Sequence, residues 1–383
     1  MPSAVIGSTH AWRSVARVGT HHIAAHLMRS GWSVTWLAGP VSPVHLAALR
    51  QPDVRTKLRS AVLPQRAPGL DARSPATLLP LGGRGYRSGA IVRHWQQATV
   101  PSLTKRLRSL PPCDLLLLDS PLYAFMPEVL TAGHVMFRLT DFTPGFPGMT
   151  EALLDLERSA VQRSDTVMVP TSALESYARS LGARSVQVVA NGVDVERFTH
   201  PSPEPQYLRP IPHPRLAYVG TIREWFGYQL VEEVARRRPD VSIVLVGQSD
   251  LAASRLPRLT NLHLLGPRPH EEVPAILQAC DVGWIPFDVA GHTDLIDRVD
   301  PLKLYEYLAA GLPVIATPWA RLERLESPAL LASTVDEVEQ ALDEALACTF
   351  ELRVAGREFA KRFDWSARLG PLLAGLGVGT GPT

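Results

Sequence analysis

The segment from Asp300 to Thr317 constrains the fold of this chain more than any other part of the sequence. It predicts a helix with Asp300 as the N-cap and Pro301 at the first helical position. Apolar residues at helical spacing give the helix one buried face, and Gly311 ends it. A short apolar strand at residues 281–287 precedes the helix, and another follows it directly. The segment is therefore a helix between two buried strands.

The start of this helix has the chemistry of an anion site. Its first amide groups lack partners within the helix, and the helix dipole is positive at that end. Lys303 adds a full positive charge in the first turn, which suits a diphosphate. Glu306, one turn further on, could accept hydrogen bonds from a ribose. The structural alternative is an ordinary amphipathic helix followed by a core strand.

The sequence of residues 301–316 resembles the donor-binding helix of bacterial glycosyltransferases with the GT-B fold. The likeness is greatest to the branch that includes glucuronosyl- and teichuronic-acid-type transferases of surface polysaccharide synthesis. Further matches to this family follow in the expected order at residues 188–198, 216–222, 241–247 and 261–266. Their order argues against a merely amphipathic helix. The resemblance implies an α/β protein with two Rossmann-like domains, whose parallel sheets face a central cleft.

The length of the chain agrees with two domains, since 383 residues exceed one typical hydrophobic core. We expect a first α/β domain over residues 1–200 and a proline-rich linker over 201–214. A second α/β domain is expected over residues 215–350. A helix at residues 351–376 should, by the resemblance, cross back to the first domain. Ligands of such sheets bind beyond the carboxyl ends of the strands.

The resemblance also assigns residues to a nucleotide-sugar donor. In the family, donor contacts come from the start of this helix and from turns that follow strands of the second domain. The residues at those places in this chain are Gly220, Arg223, Gln248, Arg268, Pro301, Leu302, Lys303 and Glu306. Lys303 and the helix start would then hold the diphosphate, and Glu306 the ribose. A UDP-sugar is the favoured donor.

A candidate general base lies in the first domain. The stretch Arg138-Leu-Thr-Asp141 ends a buried strand, so Asp141 should emerge at the edge where ligands bind. It resembles the catalytic aspartate that follows the corresponding strand in the glucuronosyltransferase branch, with Arg138 to orient it or to bind the acceptor. The structural alternative for Asp141 is a loop cap before Pro144. Asp119 is the second candidate base.

The resemblance favours an inverting reaction. Many retaining relatives carry an arginine and a lysine in the turn after the first strand of the second domain. This chain has Thr221 and Trp225 near those places, which leaves Arg223 as the cation. Retaining relatives also carry a glutamate eight residues before the one that matches Glu306, and Arg298 stands there.

Acceptor contacts are expected from the loop after the first strand. By the resemblance, Trp12 could stack on a sugar ring, Arg13 could bind an anionic group, and His10 is a weaker candidate base. No carboxylate or cysteine keeps ligand spacing with the neighbouring pair His21 and His22, so we expect no metal site there. We also expect no cofactor and no essential metal, because the helix dipole and Lys303 would replace a metal at the diphosphate.

A basic segment indicates an anionic partner. Twelve arginines and lysines lie between Arg50 and Arg108, opposed by only Asp53 and Asp71. Membrane headgroups, a lipid-linked diphosphate acceptor or an acidic sugar would suit this excess. A solvated arginine-rich surface is the alternative. Nucleic acid is disfavoured, because aromatic residues are not interleaved with the charges and no reader motif is present.

The sequence also limits location and function class. Cys113, Cys280 and Cys348 lie far apart, which suits reduced thiols in a cytoplasmic protein. No apolar run reaches the roughly 18 residues of a spanning helix, so membrane attachment would be peripheral, at the inner face. A dinucleotide oxidoreductase is disfavoured because no G-x-G-x-x-G follows the first strand. Three classes remain: a glycosyltransferase acting on a glycan or lipid-linked acceptor, a nucleotide-sugar 2-epimerase, and a non-catalytic sugar-binding subunit.

Overall fold

The computed structural model describes residues 1–14, 17–49, 52–81, 83–146, 148–248, 250–347 and 349–375. The chain divides into two compact units, and the first comprises residues up to Ala190 together with those from Leu369 onwards. The second unit runs from Asn191 to Arg368. This boundary lies earlier than the expected residue 200, because the chain after Ala190 hydrogen-bonds to the second unit. The Val193 amide, for example, donates to the Phe363 carbonyl at 2.8 Å.

The first unit is built on an eight-stranded sheet of order β3-β4-β2-β1-β5-β6-β7-β8. Its strands are β1 (Ser3–Gly7), β2 (Ser33–Leu37), β3 (Gln65–Ala67), β4 (Leu70–Arg73), β5 (Cys113–Leu118), β6 (Ala132–Arg138), β7 (Thr166–Val169) and β8 (Val186–Val188). Its helices are α1 (Gly19–Arg29), α2 (Pro52–Val62), α3 (Gly89–His94), α4 (Leu103–Arg108), α5 (Glu151–Gln162) and α6 (Ser172–Ser180). Neighbouring strands are parallel except β3 and β4.

Residues 50–90 are rich in proline, glycine and arginine, which predicts loops with an interrupted helix. The β3–β4 hairpin contradicts that prediction. β3 lacks the alternating apolar pattern that identifies a strand, and β4 alternates over only four residues, which is too short a signal. Gly69, at φ 73°, makes the tight turn between them. β4 then pairs in parallel with β2, which extends the sheet.

The second unit has a six-stranded parallel sheet of order β11-β10-β9-β12-β13-β14. Its strands are β9 (Arg215–Val219), β10 (Ser242–Val246), β11 (Leu262–Gly266), β12 (Val282–Ile285), β13 (Val314–Ala316) and β14 (Leu330–Leu331). Its helices are α7 (Val195–Thr199), α8 (Tyr228–Arg237), α9 (Asp250–Arg255), α10 (Val273–Gln278), α11 (Thr293–Ile296), α12 (Leu302–Ala310), α13 (Ala320–Glu323), α14 (Val335–Ala347) and α15 (Thr349–Lys361). The predicted α/β class with parallel sheets is confirmed.

The chain beyond α14 differs from the single helix expected at residues 351–376. α15 ends at Lys361, and a separate helix, α16 (Trp365–Gly375), begins after residues 362–364. Asp364 takes hydrogen bonds from the Ser366 amide and side chain at the start of α16, which stabilises the break. Within the described ranges, none of the helices has the length and hydropathy needed to cross a membrane.

The proline-rich segment at residues 201–214, which was expected to be an interdomain linker, packs against the second unit. Leu208 and Ile211 are buried and form a small core with Val244 and Ile276. Such burial needs a fixed path for the backbone. Proline content alone does not reveal these two apolar anchors.

The buried Arg215 side chain, at the start of β9, fixes that path. Its guanidinium donates to the Ile211 carbonyl at 2.7 and 2.9 Å and to the Leu208 carbonyl at 2.9 Å. It also donates to the Ala279 carbonyl at 2.8 Å and pairs with Glu204 at 2.7 Å. One side chain therefore satisfies several buried carbonyls that secondary structure leaves without partners.

We predict that Arg215→Ala lowers the free energy of unfolding by about 3–5 kcal/mol, because it leaves the buried carbonyls and Glu204 without their donor. Urea unfolding of the full chain would measure the change. Arg209→Ala, at an exposed position of the same segment, is the matched control and should have little effect. Equal unfolding midpoints for the two variants would contradict this account of the segment.

Candidate active site

Two glycines shape the carboxyl edge of the second sheet. Gly220 follows β9 at φ 156°, and Gly247 follows β10 at φ 151°. A Cβ on Gly247 would lie 1.8 Å from the Gly220 carbonyl oxygen, and a Cβ on Gly220 would lie 2.1 Å from Lys303 Cε. Only glycine permits both approaches. The predicted donor residues Gly220 and Lys303 are therefore in direct contact.

The Lys303 ammonium is held among aromatic rings. Its Nζ lies 5.4 Å from the centre of the Tyr218 ring and 5.6 Å from that of Phe287. Burial lowers the pKa of Lys303, and the charge of Glu306 partly opposes that shift. In the described part of the chain, no carboxylate lies within ion-pairing distance of this ammonium. The site therefore holds a desolvated cation that an anionic ligand would stabilise.

The start of α12 differs in detail from the sequence prediction. Pro301 occupies the N-cap position, and within the described residues no side chain caps the helix. The predicted N-cap, Asp300, instead accepts hydrogen bonds from the Asn191 amide at 2.7 Å, the Arg321 Nε at 2.9 Å and the Tyr305 hydroxyl at 3.1 Å. Burial raises the pKa of Asp300, while Arg321 opposes the shift. The N-cap prediction was wrong because these tertiary donors compete for the carboxylate.

Glu306 is buried and does not face solvent as a plain surface residue would. Its Oε1 lies 3.3 Å from Nε2 of His270, which is also buried. The Arg197 side chain donates to the His270 carbonyl at 2.8 Å and so fixes the turn that carries the histidine. His270 was not among the predicted site residues. The sequence indicated His270 only by its position in the turn after β11.

The remaining predicted donor residues fall into two places. Arg223 and Gln248 meet at 3.4 Å, between the turns that follow β9 and β10. Arg268 lies apart from them, with its guanidinium 4.0 Å from the centre of the Tyr207 ring in the proline-rich segment. Leu302, half-buried, is the first residue of α12. Among the three predicted cationic donor residues of this unit, Lys303 is therefore the one that lies at the start of α12.

In the first unit, the predicted residues at the end of β6 lie in a charged cluster. Arg138 is buried, with Nη1 3.6 Å from Asp119 Oδ1 and 3.4 Å from the Thr20 hydroxyl. The Thr140 hydroxyl donates to Asp141 at 2.7 Å. Burial chiefly raises the pKa of Asp141; Thr140 and Arg138 oppose the shift, and Asp119 adds to it. A raised pKa makes a carboxylate a stronger base.

A further carboxylate, Glu157 on α5, lies beside this cluster. It is 2% exposed and accepts hydrogen bonds from the hydroxyls of Thr143 and Tyr177, the latter at 2.5 Å. Burial raises the pKa of Glu157, and the charge of Asp141 adds to the shift. Sequence reasoning missed Glu157. The available signal was its position one turn before Ala160 and Val161, on the buried face of α5.

The predicted acceptor residues lie after β1. The half-buried Trp12 ring lies 5.3 Å from that of Trp36 and 5.7 Å from that of His21. The His10 carbonyl accepts a hydrogen bond from Trp36 Nε1 at 3.0 Å. Arg13 is exposed. The structure thus orders the loop at Trp12 and His10 and presents Arg13 to solvent.

His21 holds this loop in place. Its Nδ1 accepts from the Val18 amide at 3.2 Å, and its Nε2 lies 3.0 Å from the Ala11 carbonyl. Burial lowers the pKa of His21 to about 4, so the ring is neutral at physiological pH. Both ring nitrogens contact backbone groups, so His21 has a structural role in this loop. Among the described residues, no three His, Cys, Asp or Glu side chains are grouped to hold a metal ion; metal independence stays a prediction.

Comparisons with known proteins show sequence similarity to glycosyltransferases. Residues 213–348 match the protein-family model described as Glycosyl transferases group 1. A Bacillus subtilis protein named as a teichuronic acid biosynthesis glycosyltransferase is 26% identical over 239 residues, which are 58% of this chain and 59% of that protein. The chain thus spans less than two thirds of that relative.

Solved structures share the fold over nearly the whole chain. Sucrose-phosphate synthase from Thermosynechococcus elongatus has a TM-score of 0.69 at 17% identity, covering 98% of this chain and 99% of the other. Anabaena Alr3699/HepE in complex with UDP and glucose has a TM-score of 0.65 at 16% identity, covering 98% and 100%. These similarities confirm the predicted GT-B fold.

Proposed function

We propose that this chain, whose residues 213–348 form a domain of the group 1 glycosyltransferases, transfers a sugar from a nucleotide-sugar donor to a glycan or lipid-linked acceptor. The observation that carries the proposal is the Lys303 ammonium, which lies desolvated at the uncapped start of α12 without a carboxylate partner in the described part of the chain. A diphosphate supplies the negative charge that this place lacks.

The donor would be bound through its diphosphate and ribose. The ammonium and the backbone amide of Lys303, together with the dipole of α12, would stabilise the charge that develops on the leaving diphosphate. Glu306, oriented by His270, would accept hydrogen bonds from ribose hydroxyls. Since the Anabaena protein is seen with UDP and glucose, a UDP-sugar is the favoured donor. In this scheme the helix start and Lys303 do the work of a metal ion.

Asp141 would act as general base in an inverting transfer. Its carboxylate takes the proton of the acceptor hydroxyl while that oxygen bonds to the anomeric carbon of the sugar. The bond from this carbon to the diphosphate breaks, and the diphosphate leaves with the electron pair. The raised pKa of Asp141 supports the role, because it makes proton uptake more favourable.

We predict that Lys303→Ala weakens UDP binding by about 10- to 150-fold, since a hydrogen bond to a charged group contributes about 1.5–3 kcal/mol. Isothermal titration calorimetry would measure the affinity. Lys361→Ala is the control, because Lys361 is exposed and pairs with Glu358 in the same unit. If no nucleoside diphosphate bound to the wild-type chain, or if both variants bound equally well, the donor site would be refuted.

For the base, we predict that Asp141→Asn lowers kcat by about 10²- to 10⁴-fold, the usual contribution of a positioned base. UDP affinity should stay within about twofold of wild type, because the variant leaves the α12 site untouched. Asp155→Asn, an exposed carboxylate on α5, is the control. Turnover of donor without acceptor would instead indicate an epimerase, and an Asp141→Asn variant with wild-type kcat would remove Asp141 from the reaction.

We further propose that the protein is cytoplasmic and that the acceptor is lipid-linked, met at the inner face of a bacterial membrane. Exposed apolar side chains lie close in sequence to the basic residues of the first unit. Val62 is 78% exposed and Leu63 is 72% exposed, at the end of α2, which carries the exposed Arg55 and Arg59 one turn apart. Apolar and basic groups together suit an anionic bilayer surface.

Liposome flotation tests this proposal. Binding should require anionic lipid, should weaken as salt is raised, and should fall in Arg55→Gln/Arg59→Gln and in Val62→Ser/Leu63→Ser. Leu331→Ser, at an exposed apolar position of the second unit, is the control. Flotation that ignores lipid charge, or that no first-unit variant reduces, would exclude this surface.

A further inference from the structure

We infer that Glu157 is a positioning residue for Asp141: it holds the backbone that carries the base and sets the charge beside it. The inference rests on the proposed function, since it assigns a second carboxylate to the same reaction. It comes from the place of Glu157, which is buried on α5 next to the segment that follows β6.

Two hydroxyl groups connect Glu157 to this segment. Glu157 Oε2 accepts from Thr143 Oγ1, and Oε1 accepts from the Tyr177 hydroxyl at 2.5 Å. Thr143 lies two residues after Asp141 and begins a short 3₁₀ turn, Thr143–Gly145. Phe142 packs edge-on against the Tyr177 ring, with the ring centres 5.0 Å apart. The residues directly after Asp141 are therefore held by α5 and α6.

The residues before Asp141 are held by the sheet. The Leu139 amide donates to the Met168 carbonyl at 2.9 Å, and Arg138 is fixed by Asp119 and Thr20. Asp141 thus stands between two anchors, one in the sheet and one at Glu157. Loss of the Glu157 anchor would free only the side of the segment that leads into the 3₁₀ turn.

Glu157 is buried without a compensating cation. In the described residues its hydrogen-bond partners are neutral hydroxyls, and no cation there forms an ion pair with it. Burying a charge in this way is costly, and burial accordingly raises the pKa of Glu157. A glutamine has a single acceptor oxygen and could take only one of these two hydrogen bonds, so the carboxyl group is what links both hydroxyls to α5. A costly buried carboxyl group that makes this link points to a role in placing the segment.

The charge of Asp141 raises the pKa of Glu157. Because coupling between two carboxylates is reciprocal, an ionised Glu157 in turn opposes the ionisation of Asp141. Asp119 and Arg138 also face Asp141, whereas Tyr177 and Arg158 lie on the side of Glu157. When Asp141 takes the acceptor proton, the repulsion between the two carboxylates is relieved. Glu157 would thus make proton uptake by Asp141 more favourable while it holds the segment in place.

The test compares Glu157→Gln, which removes the charge, with Thr143→Val, which removes the link. Each should lower kcat by about tenfold or more, since small misplacements of a reacting group are costly. KM for the donor should change little. Thr143→Ser should restore the activity that is lost in Thr143→Val. The double variant Glu157→Gln/Thr143→Val should be no less active than the less active of the two single variants, because both changes break the same link. Glu151→Gln, on the exposed side of α5, is the control.

Two further readouts separate positioning from a merely structural role. The melting temperature of Glu157→Gln should stay near that of wild type, because removal of a buried charge offsets the loss of one hydrogen bond. The acidic limb of its pH–kcat/KM profile should move to lower pH, since loss of a nearby negative charge lowers the pKa of Asp141. If Glu157→Gln fails to fold, Thr143→Val and Thr143→Ser supply the result.

Wild-type kcat in both Glu157→Gln and Thr143→Val would overturn the inference while leaving the proposed function intact. A loss of kcat that only follows a loss of folded protein would overturn it as well. The proposed function fails by a different result, namely an Asp141→Asn variant that retains turnover.

Discussion

The buried carboxylate of Asp300 fixes the start of α12, and the candidate donor site depends on that start. Asp300 connects three elements: Asn191 at the beginning of the second unit, Tyr305 within the helix, and Arg321 on α13. Breaking a buried charged network of this kind costs about 3–5 kcal/mol. Since Asp300 is occupied by tertiary donors, it does not cap the helix. The Leu302 and Leu304 amides donate to the carbonyls of Asp300 and Pro301 at 2.9 and 3.0 Å, so in the described residues the Lys303 amide is the one at the helix start that is left for a ligand.

Tyr307 fixes the side of the site that is formed by the end of β9. The Tyr307 hydroxyl accepts from the Val219 amide at 2.6 Å and donates to the Val219 carbonyl at 3.1 Å, which holds α12 against the end of β9. Gly220 follows, and Lys303 lies directly on it. The ammonium is therefore placed before any ligand arrives. A charge that is already oriented and desolvated costs little reorganisation during a reaction.

The sequence was informative wherever structure depends on neighbours along the chain. The helix at Pro301 and the buried strands were predictable from local periodicity and capping residues. The polar contacts were not, because their partners are distant: His270 lies 36 residues from Glu306, and Thr143 lies 14 residues from Glu157. The packing of residues 201–214 was missed for the same reason, since its anchor, Arg215, acts through backbone carbonyls that carry no sequence signal.

In both units, some charged side chains have compensating partners and serve the structure, whereas others have no such partner in the described residues and lie at the candidate sites. Asp300 and Lys303 lie three residues apart, yet Asp300 has three donors whereas Lys303 has aromatic rings around it. Asp119 likewise has Arg138 and a serine hydroxyl, whereas Glu157 has only neutral hydroxyls. A fold selected for stability alone would not retain a desolvated lysine or a buried unpaired carboxylate. Lys303 lies against Gly220 after β9, and Glu157 contacts Thr143 after β6. Ligands of parallel sheets bind at such strand ends, so the two charges are best explained by those that a substrate brings and a reaction moves.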